Sequence, residues 1–323
     1  MSESKYRPDI LNILRVAATL FVFLQHARAI VPGLKTTDSK FAFLVRTPAW
    51  AGVWIFVILS AYLMGIGFVK GKYRLTGENG KFSIKALIIF YLKRYIRLAP
   101  MYYIYCFIFE FFRGTPFFFK NPEEFWKIIT FRFDGSGSVS GIGHLWYLSL
   151  AMQIYMIIPF VYLILSKIKK ETVLKILFFA FLVLGLVLRI ALCNAGADWY
   201  TEVYTFIGTN MDIVLCGMIV AIINCTRHEK KEMRKDCALW GVMANLLFAG
   251  LVVCNCFIYW YGTELAYFVY RYILPSVYIL SCSILIMMYH NPIGAKKYLP
   301  VNTMLLNLSI GLPHIRLHFI YYT

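Results

Sequence analysis

The segment from Asp9 to Val31 constrains the fold of this chain most, because it is long enough and apolar enough to cross a lipid bilayer. A bilayer core of about 30 Å needs about 20 residues of helix. The segment nevertheless contains Arg15 and His26. Ionisable side chains at such a depth are costly unless they face protein or water, and they commonly mark functional sites. We therefore treat both residues as candidates for a function.

The spacing of these two residues places them on one face of the predicted helix. His26 follows Arg15 by eleven positions, which is about 20° past three full helical turns. The two side chains then lie about 16 Å apart along the helix axis. Asn12 and Thr19 fall close to the same line, so one stripe of the helix is polar. An alternative is that Arg15 and His26 extend to opposite membrane interfaces, and the spacing alone favours neither interpretation.

The composition indicates an integral membrane protein. Of the 323 residues, 60% are hydrophobic and only 15% are charged, whereas soluble domains have about 45–50% apolar and about 25% charged residues. The formal net charge of +17 is better explained by basic cytoplasmic loops than by nucleic-acid binding. None of the eight cysteines forms a C-x-x-C pair, and we expect no metal site.

Hydropathy predicts an all-α transmembrane bundle of about nine to ten helices. Nine apolar segments can be distinguished: 10–31, 48–69, 96–112, 145–166, 173–193, 207–224, 238–260, 272–289 and 303–322. If the N-terminus is cytoplasmic, the inside segments hold 21 Lys and Arg residues and the outside segments hold 8. Because cytoplasmic loops are enriched in these residues, we predict a cytoplasmic N-terminus, with Arg15 near the cytoplasm and His26 in the outer half.

Three further stretches carry polar or aromatic residues in a distinctive order. The second segment contains IFVILSAYLM with Ser60, where small residues allow helices to pack closely. The stretch YLKRYIRLAPMYY places Arg94 and Arg97 on one helix face, where they would bind lipid headgroups or the phosphates of a ligand. The stretch HLWYLSLAMQIYMIIP contains Trp146 and Gln153. Trp146 also suits the aromatic belt of a membrane interface.

Together these motifs resemble acyltransferase family 3, whose members are integral-membrane enzymes. The resemblance rests on N-x-x-R followed by ten residues and H-A, on R-x-x-R before P-x-Y-Y, and on W-Y-L-S before Q-x-Y-x-x-x-P. Three positions in these motifs depart from the family pattern. Ala61 and Tyr62 stand where the family usually has glycine and phenylalanine, and Met152 stands where many members have glutamate.

The resemblance implies roles for particular residues. It makes His26 the general base or a transient acyl carrier, with Arg15 steering the thioester carbonyl or orienting the donor. It makes Arg94 and Arg97 the residues that bind acyl-coenzyme A. Candidates to line the site are Ser60, Trp146, Gln153, His144 and Glu110. For two of these an ordinary explanation stays open, because His144 can be a solvated loop residue and Glu110 can pair with Arg113 three positions later.

The resemblance also implies the reaction. An acyl group, commonly acetyl, would pass from cytoplasmic acyl-coenzyme A, as co-substrate, to a hydroxyl of an extracytoplasmic or lipid-linked carbohydrate. The expected protein is a multi-pass plasma-membrane enzyme in contact with membrane lipids, with no permanently bound cofactor and no nucleic-acid partner. One alternative is a transporter or flippase for a small molecule or glycolipid, and another is a non-catalytic scaffold or sensor.

Two expectations concern the second half of the chain. Arg189 lies inside an apolar segment and needs an acidic, carbonyl or water partner, and Asp212 in the next segment is a candidate. We treat residues 1–323 as a single transmembrane domain. After about residue 309 the tail contains Pro313 and His314, which suit a membrane helix poorly, so we expect a truncated or frame-shifted C-terminal end.

Overall fold

The computed structural model describes residues 9–30, 50–76, 82–113, 121–135, 142–229, 245–246, 248–250 and 264–292. These residues are almost entirely helical. Within those ranges the extended structure is limited to an isolated antiparallel bridge between Thr76 and Phe82. The predicted all-α class is therefore confirmed for the described part of the chain.

Eight of the described helices contain eight or more residues. They are α1 (Ile10–Ile30), α2 (Trp50–Val69), α3 (Ile84–Arg113), α4 (Pro122–Ile129), α5 (Trp146–Leu165), α6 (Glu171–Asn194), α7 (Met211–Glu229) and α8 (Leu274–Tyr289). A short helix, Glu264–Phe268, and a π-helical turn, Val269–Ile273, lead into α8. A second π-helical turn, Trp199–Tyr204, lies between α6 and α7.

Five of the described helical stretches are long and apolar enough to cross a membrane. These stretches are Trp50–Val69, Gly143–Leu165, Glu171–Asn194, Gly208–Arg227 and Val269–Tyr289. In α1 the apolar part is shorter and covers Ile10–Leu24. These findings agree with a membrane protein, while the total of nine to ten helices and the cytoplasmic N-terminus stay predictions.

The core of the bundle is formed by α2 and α7, which pack against each other along their length. Close approach is possible because Gly217 of α7 faces Ala61 of α2, where an added Cβ at residue 217 would lie 2.9 Å from the Ile58 carbonyl oxygen. Small residues at such crossings let membrane helices approach closely. α1 packs on α2, and α6 packs on α7, so α2 and α7 present their surfaces to several neighbours.

A buried ion pair joins α6 to α7, as the sequence suggested. Arg189 Nη2 lies 2.5 Å from Asp212 Oδ2 and also donates to the Thr209 carbonyl oxygen at 3.0 Å. Both charged side chains are almost fully buried. Gly185, one turn before Arg189, leaves room for the Asp212 carboxylate, because an added Cβ would overlap with it. The pair is a structural connection between two helices of the core.

The observed helices agree with six of the nine predicted apolar segments. The main difference is α3, which begins at Ile84 rather than near residue 96. The predicted loop therefore ends earlier, and its last residues continue the helix. Hydropathy places the boundary of the apolar segment at the nearest charged residues. Lys and Arg are nevertheless compatible with a helix, so the helix extends through them to Ile84. The predicted segments 238–260 and 303–322, and the tail after residue 309, fall wholly or mainly outside the described residues.

Candidate functional site

A cavity of about 230 Å³ lies between α1, α2, α3 and α5. Its polar lining includes Arg15, Ser60, Arg94 and Arg97. The sequence thus identified four of the polar residues that the fold brings together here, from three different helices. The remaining lining residues are Phe56, Leu59, Leu63, Met64, Tyr73 and Tyr155.

The cavity has the charge of an anion-binding site. Three arginines line it, and no carboxylate does so within the described part of the chain. Arginine stays protonated and presents rigid donor groups that match carboxylate and phosphate oxygens. The arrangement can therefore hold an anionic ligand, with Ser60 as an additional hydroxyl group in the wall.

Arg94 is the most buried of these arginines, with 7% of the residue exposed. Its guanidinium carbon lies 4.8 Å from the Tyr73 ring centroid and 5.4 Å from the ring centroids of both Phe90 and Tyr155. Its Nε is buried and has no hydrogen-bond partner among the described residues. The Arg94 charge is thus surrounded by aromatic rings and is available to a ligand.

Arg15 lies at the cavity end of α1. Its Nη1 donates to Asn12 Oδ1 at 2.8 Å, and its carbonyl oxygen accepts a 2.8 Å hydrogen bond from the Thr19 hydroxyl. These contacts join three of the four residues of the predicted polar stripe. Arg97 is exposed, one turn after Arg94 on α3, and completes the basic lining.

His26 lies apart from this cavity, three turns further along α1. Its ring centroid is 6.1 Å from that of His144 in an edge-to-face arrangement. His144 belongs to a 3₁₀ turn before α5 and also contacts the Tyr105 ring at 5.4 Å. Both histidines are exposed. The structure therefore separates the residues of the sequence hypothesis into a cluster of arginines and a pair of histidines.

Two other candidates make contacts that support the fold. Trp146 is buried, and its ring centroid lies 4.8 Å from that of Tyr204 in an aromatic cluster between helix ends. Gln153 Nε2 donates to the Phe131 carbonyl oxygen at 2.7 Å. Phe131 has a positive φ of 54°, an uncommon conformation for a bulky residue, so this hydrogen bond fixes a strained turn. Neither Trp146 nor Gln153 lines the cavity, and their predicted role in the site stays a prediction.

Glu110 belongs to α3, but its side chain lies outside the described residues, so its role stays a prediction.

Tyr73 was missed by the sequence analysis although it contacts Arg94. It lies in the loop after α2, and no spacing rule connects a loop residue to an arginine 21 positions later. Only the tertiary structure brings the two side chains together.

The described residues, with apolar helices of membrane-spanning length and three arginines around one cavity, define a membrane protein that is equipped to bind an anionic ligand. A family model described as an acyltransferase domain matches residues 9–311. The chain belongs to acyltransferase family 3, and it is a membrane acyltransferase in that general sense.

The chain is similar to the regulator of hypoxia-inducible factor 1 of Caenorhabditis elegans, with 25% identity over 221 residues. The aligned part covers 60% of this chain and 41% of that relative, so the chain spans less than half of the relative's length. No solved structure matches the chain.

Proposed function

We propose that this protein transfers an acyl group, commonly acetyl, from acyl-coenzyme A to a hydroxyl of an extracytoplasmic or lipid-linked carbohydrate at the plasma membrane. The observation that carries the proposal is the cavity in which Arg15, Arg94 and Arg97 meet. A coenzyme A thioester is a polyanion, and these arginines provide positive charge in one place. Membership of an acyltransferase family makes the thioester the natural candidate for that anion.

The size of the cavity limits which part of the donor it holds. Its volume of about 230 Å³ is below the roughly 300–1,000 Å³ of sites that enclose a drug-sized ligand. Coenzyme A is larger than such a ligand, so the cavity holds only a part of it. We assign the phosphate groups to the cavity, where Arg94 and Arg97 bind them and Arg15 orients the donor.

The acceptor hydroxyl is assigned to the pair formed by His26 and His144. In this scheme a neutral His26 removes the hydroxyl proton as the hydroxyl oxygen attacks the thioester carbonyl carbon. A carbon–oxygen bond forms, the carbon–sulfur bond breaks, and the coenzyme A sulfur leaves and takes up a proton. The alternative mechanism, in which His26 carries the acyl group transiently, uses the same arrangement of residues.

The distance between the two clusters fits a long donor. Arg15 and His26 are separated by about 16 Å along the helix axis. A donor whose phosphates bind near Arg15 would therefore extend along α1 and place its acyl end toward His26. With a cytoplasmic N-terminus, the arginines face the cytoplasmic source of acyl-coenzyme A and the histidines face the acceptor. The excess of Lys and Arg in the predicted inside segments supports this orientation.

Reconstituted protein can test the reaction directly. Wild-type protein in lipid nanodiscs is mixed with acetyl-coenzyme A labelled in the acetyl group and with extracted cell-envelope carbohydrate. We expect label in the carbohydrate and release of free coenzyme A. We expect His26→Ala to reduce transfer by roughly 100- to 10,000-fold, the usual contribution of general base catalysis.

A histidine elsewhere in the chain provides the matched control. His228 is near the end of α7, so His228→Ala should transfer label at the wild-type rate. Equal transfer by wild type and His26→Ala would exclude the catalytic role of His26. In sealed proteoliposomes, an intact thioester together with movement of an unmodified solute across the bilayer would instead identify a transporter.

A further inference from the structure

The contacts of Arg94 show how its side chain is held in the cavity. Three rings surround the guanidinium group, from Tyr73, Phe90 and Tyr155. Aromatic faces attract a cation through their quadrupole, but they carry no negative charge that would neutralise it. The rings therefore fix the position of the guanidinium group and leave its charge for a ligand.

Tyr73 differs from the other two rings in the element that carries it. Phe90 lies on α3 and Tyr155 on α5, whereas Tyr73 belongs to the turn that follows α2. The Tyr73 amide donates to the Gly67 carbonyl oxygen at 3.2 Å, and the Tyr73 ring contacts Phe68 and Phe90 at centroid distances of 5.4 and 5.5 Å. The turn is thus folded back so that its tyrosine reaches Arg94.

Gly67 makes this arrangement possible. A Cβ atom built at residue 67 would lie 2.6 Å from Cδ2 of the Tyr73 ring and would overlap with its Cε2. The ring therefore lies directly against the backbone of α2. Glycine inside a helix is less favourable than alanine, and the contact with Tyr73 gives a physical reason for glycine at this position.

We propose that Tyr73 is a positioning residue of the donor site, placed over α2 by Gly67, and that it orients the guanidinium group of Arg94 toward a phosphate of the bound ligand. This inference rests on the proposed function, because it takes acyl-coenzyme A as that ligand. Tyr73 acts through Arg94, so its loss should weaken donor binding without changing the transfer step. Arg94 keeps its contacts with Phe90 and Tyr155, so the weakening should be partial.

Four variants test the proposal: Tyr73→Leu, Tyr73→Phe, Gly67→Ala and the double variant Gly67→Ala/Tyr73→Leu. KM for acetyl-coenzyme A and kcat are measured in nanodiscs, with thermal unfolding as a control for the fold. We expect Tyr73→Leu to raise KM by about 3- to 30-fold at unchanged kcat, since a partly desolvated cation–π contact is lost. Tyr73→Phe keeps the ring and should restore the wild-type KM.

The glycine variant gives the more specific test. Gly67→Ala should raise KM to the same extent as Tyr73→Leu, because the added methyl group displaces the ring. In the Tyr73→Leu background the same change should have no further effect on KM, since the two residues act as one unit. Independent, multiplicative increases in KM would contradict the proposed connection between Gly67 and Tyr73.

The outcomes separate this proposal from the proposed function. If wild-type protein neither binds nor uses acetyl-coenzyme A, the donor assignment is wrong and the inference is overturned with it. If Arg94→Ala raises KM while Tyr73→Leu leaves it at the wild-type value, the donor assignment stands and only the role of Tyr73 is overturned. A fall in kcat at constant KM in Tyr73→Leu would also exclude the positioning role.

Discussion

Arg94 and Arg97 line the same cavity, but only Arg94 is buried, and we predict that replacing each by alanine will have unequal effects on donor binding. A hydrogen bond to a charged group in a buried site contributes about 1.5–3 kcal/mol. This range corresponds to about a 10- to 100-fold increase in the Kd for acetyl-coenzyme A in Arg94→Ala. An exposed ion pair contributes about 0.2–1 kcal/mol, so Arg97→Ala should increase Kd by about fivefold or less.

Binding of acetyl-coenzyme A to protein in nanodiscs, measured by calorimetry, is the suitable assay for this prediction. Repeating the titrations at several salt concentrations adds a second comparison. Salt screens an exposed charge more than a buried one, so the contribution of Arg97 to donor binding should disappear at a lower salt concentration than that of Arg94. Lys93→Ala is the matched control, because Lys93 is an exposed basic residue next to Arg94 that does not line the cavity.

The result that would refute this reasoning is a larger loss in Arg97→Ala than in Arg94→Ala. That order would mean that the ligand binds at the exposed edge of α3 and that the buried guanidinium group has a structural role. Equal losses in Lys93→Ala and Arg94→Ala would show that only the general basic character of α3 matters. Either outcome would exclude the assignment of the phosphate groups to the cavity.

Three further predictions concern the fold. Asp212→Asn leaves Arg189 buried without its counter-ion and should lower the free energy of unfolding by about 3–5 kcal/mol, which denaturation in detergent will measure; a loss under 1 kcal/mol would be evidence against a buried pair. Asp198 caps the π-helical turn Trp199–Tyr204, and its carboxylate accepts hydrogen bonds from the Thr201 backbone amide and hydroxyl, which lower the pKa of Asp198. This cap should therefore be intact above about pH 4 and lost at lower pH, as hydrogen-exchange protection of residues 199–205 will report. Unchanged protection of these residues in Asp198→Ala at pH 7 would contradict the role of the cap. Reporter fusions after Lys72 should score cytoplasmic and a fusion after Gly137 should score outside, whereas a cytoplasmic Gly137 fusion would overturn the predicted orientation.

The sequence alone determined the class of fold and most of the polar residues of the cavity. Apolar runs of membrane-spanning length can form only helices with internally satisfied backbone hydrogen bonds, so α2, α5, α6 and α7 could be predicted within a few residues. Arg94 stood out through its three-residue spacing from Arg97 in a basic stretch, and Arg15 stood out because charged residues are rare and costly in apolar runs. The pairing of Arg189 with Asp212 could be anticipated for the same reason.

The tertiary structure decided which of these residues meet. Helical periodicity places Arg15 and His26 on one face, but it does not state which neighbour each side chain contacts. The packing of α1, α2, α3 and α5 places Arg15 beside Arg94, whereas His26 lies beside His144. Tyr73 reaches Arg94 only because the turn after α2 folds back over a glycine. Such contacts depend on distances between separate elements, which local spacing along the chain does not contain.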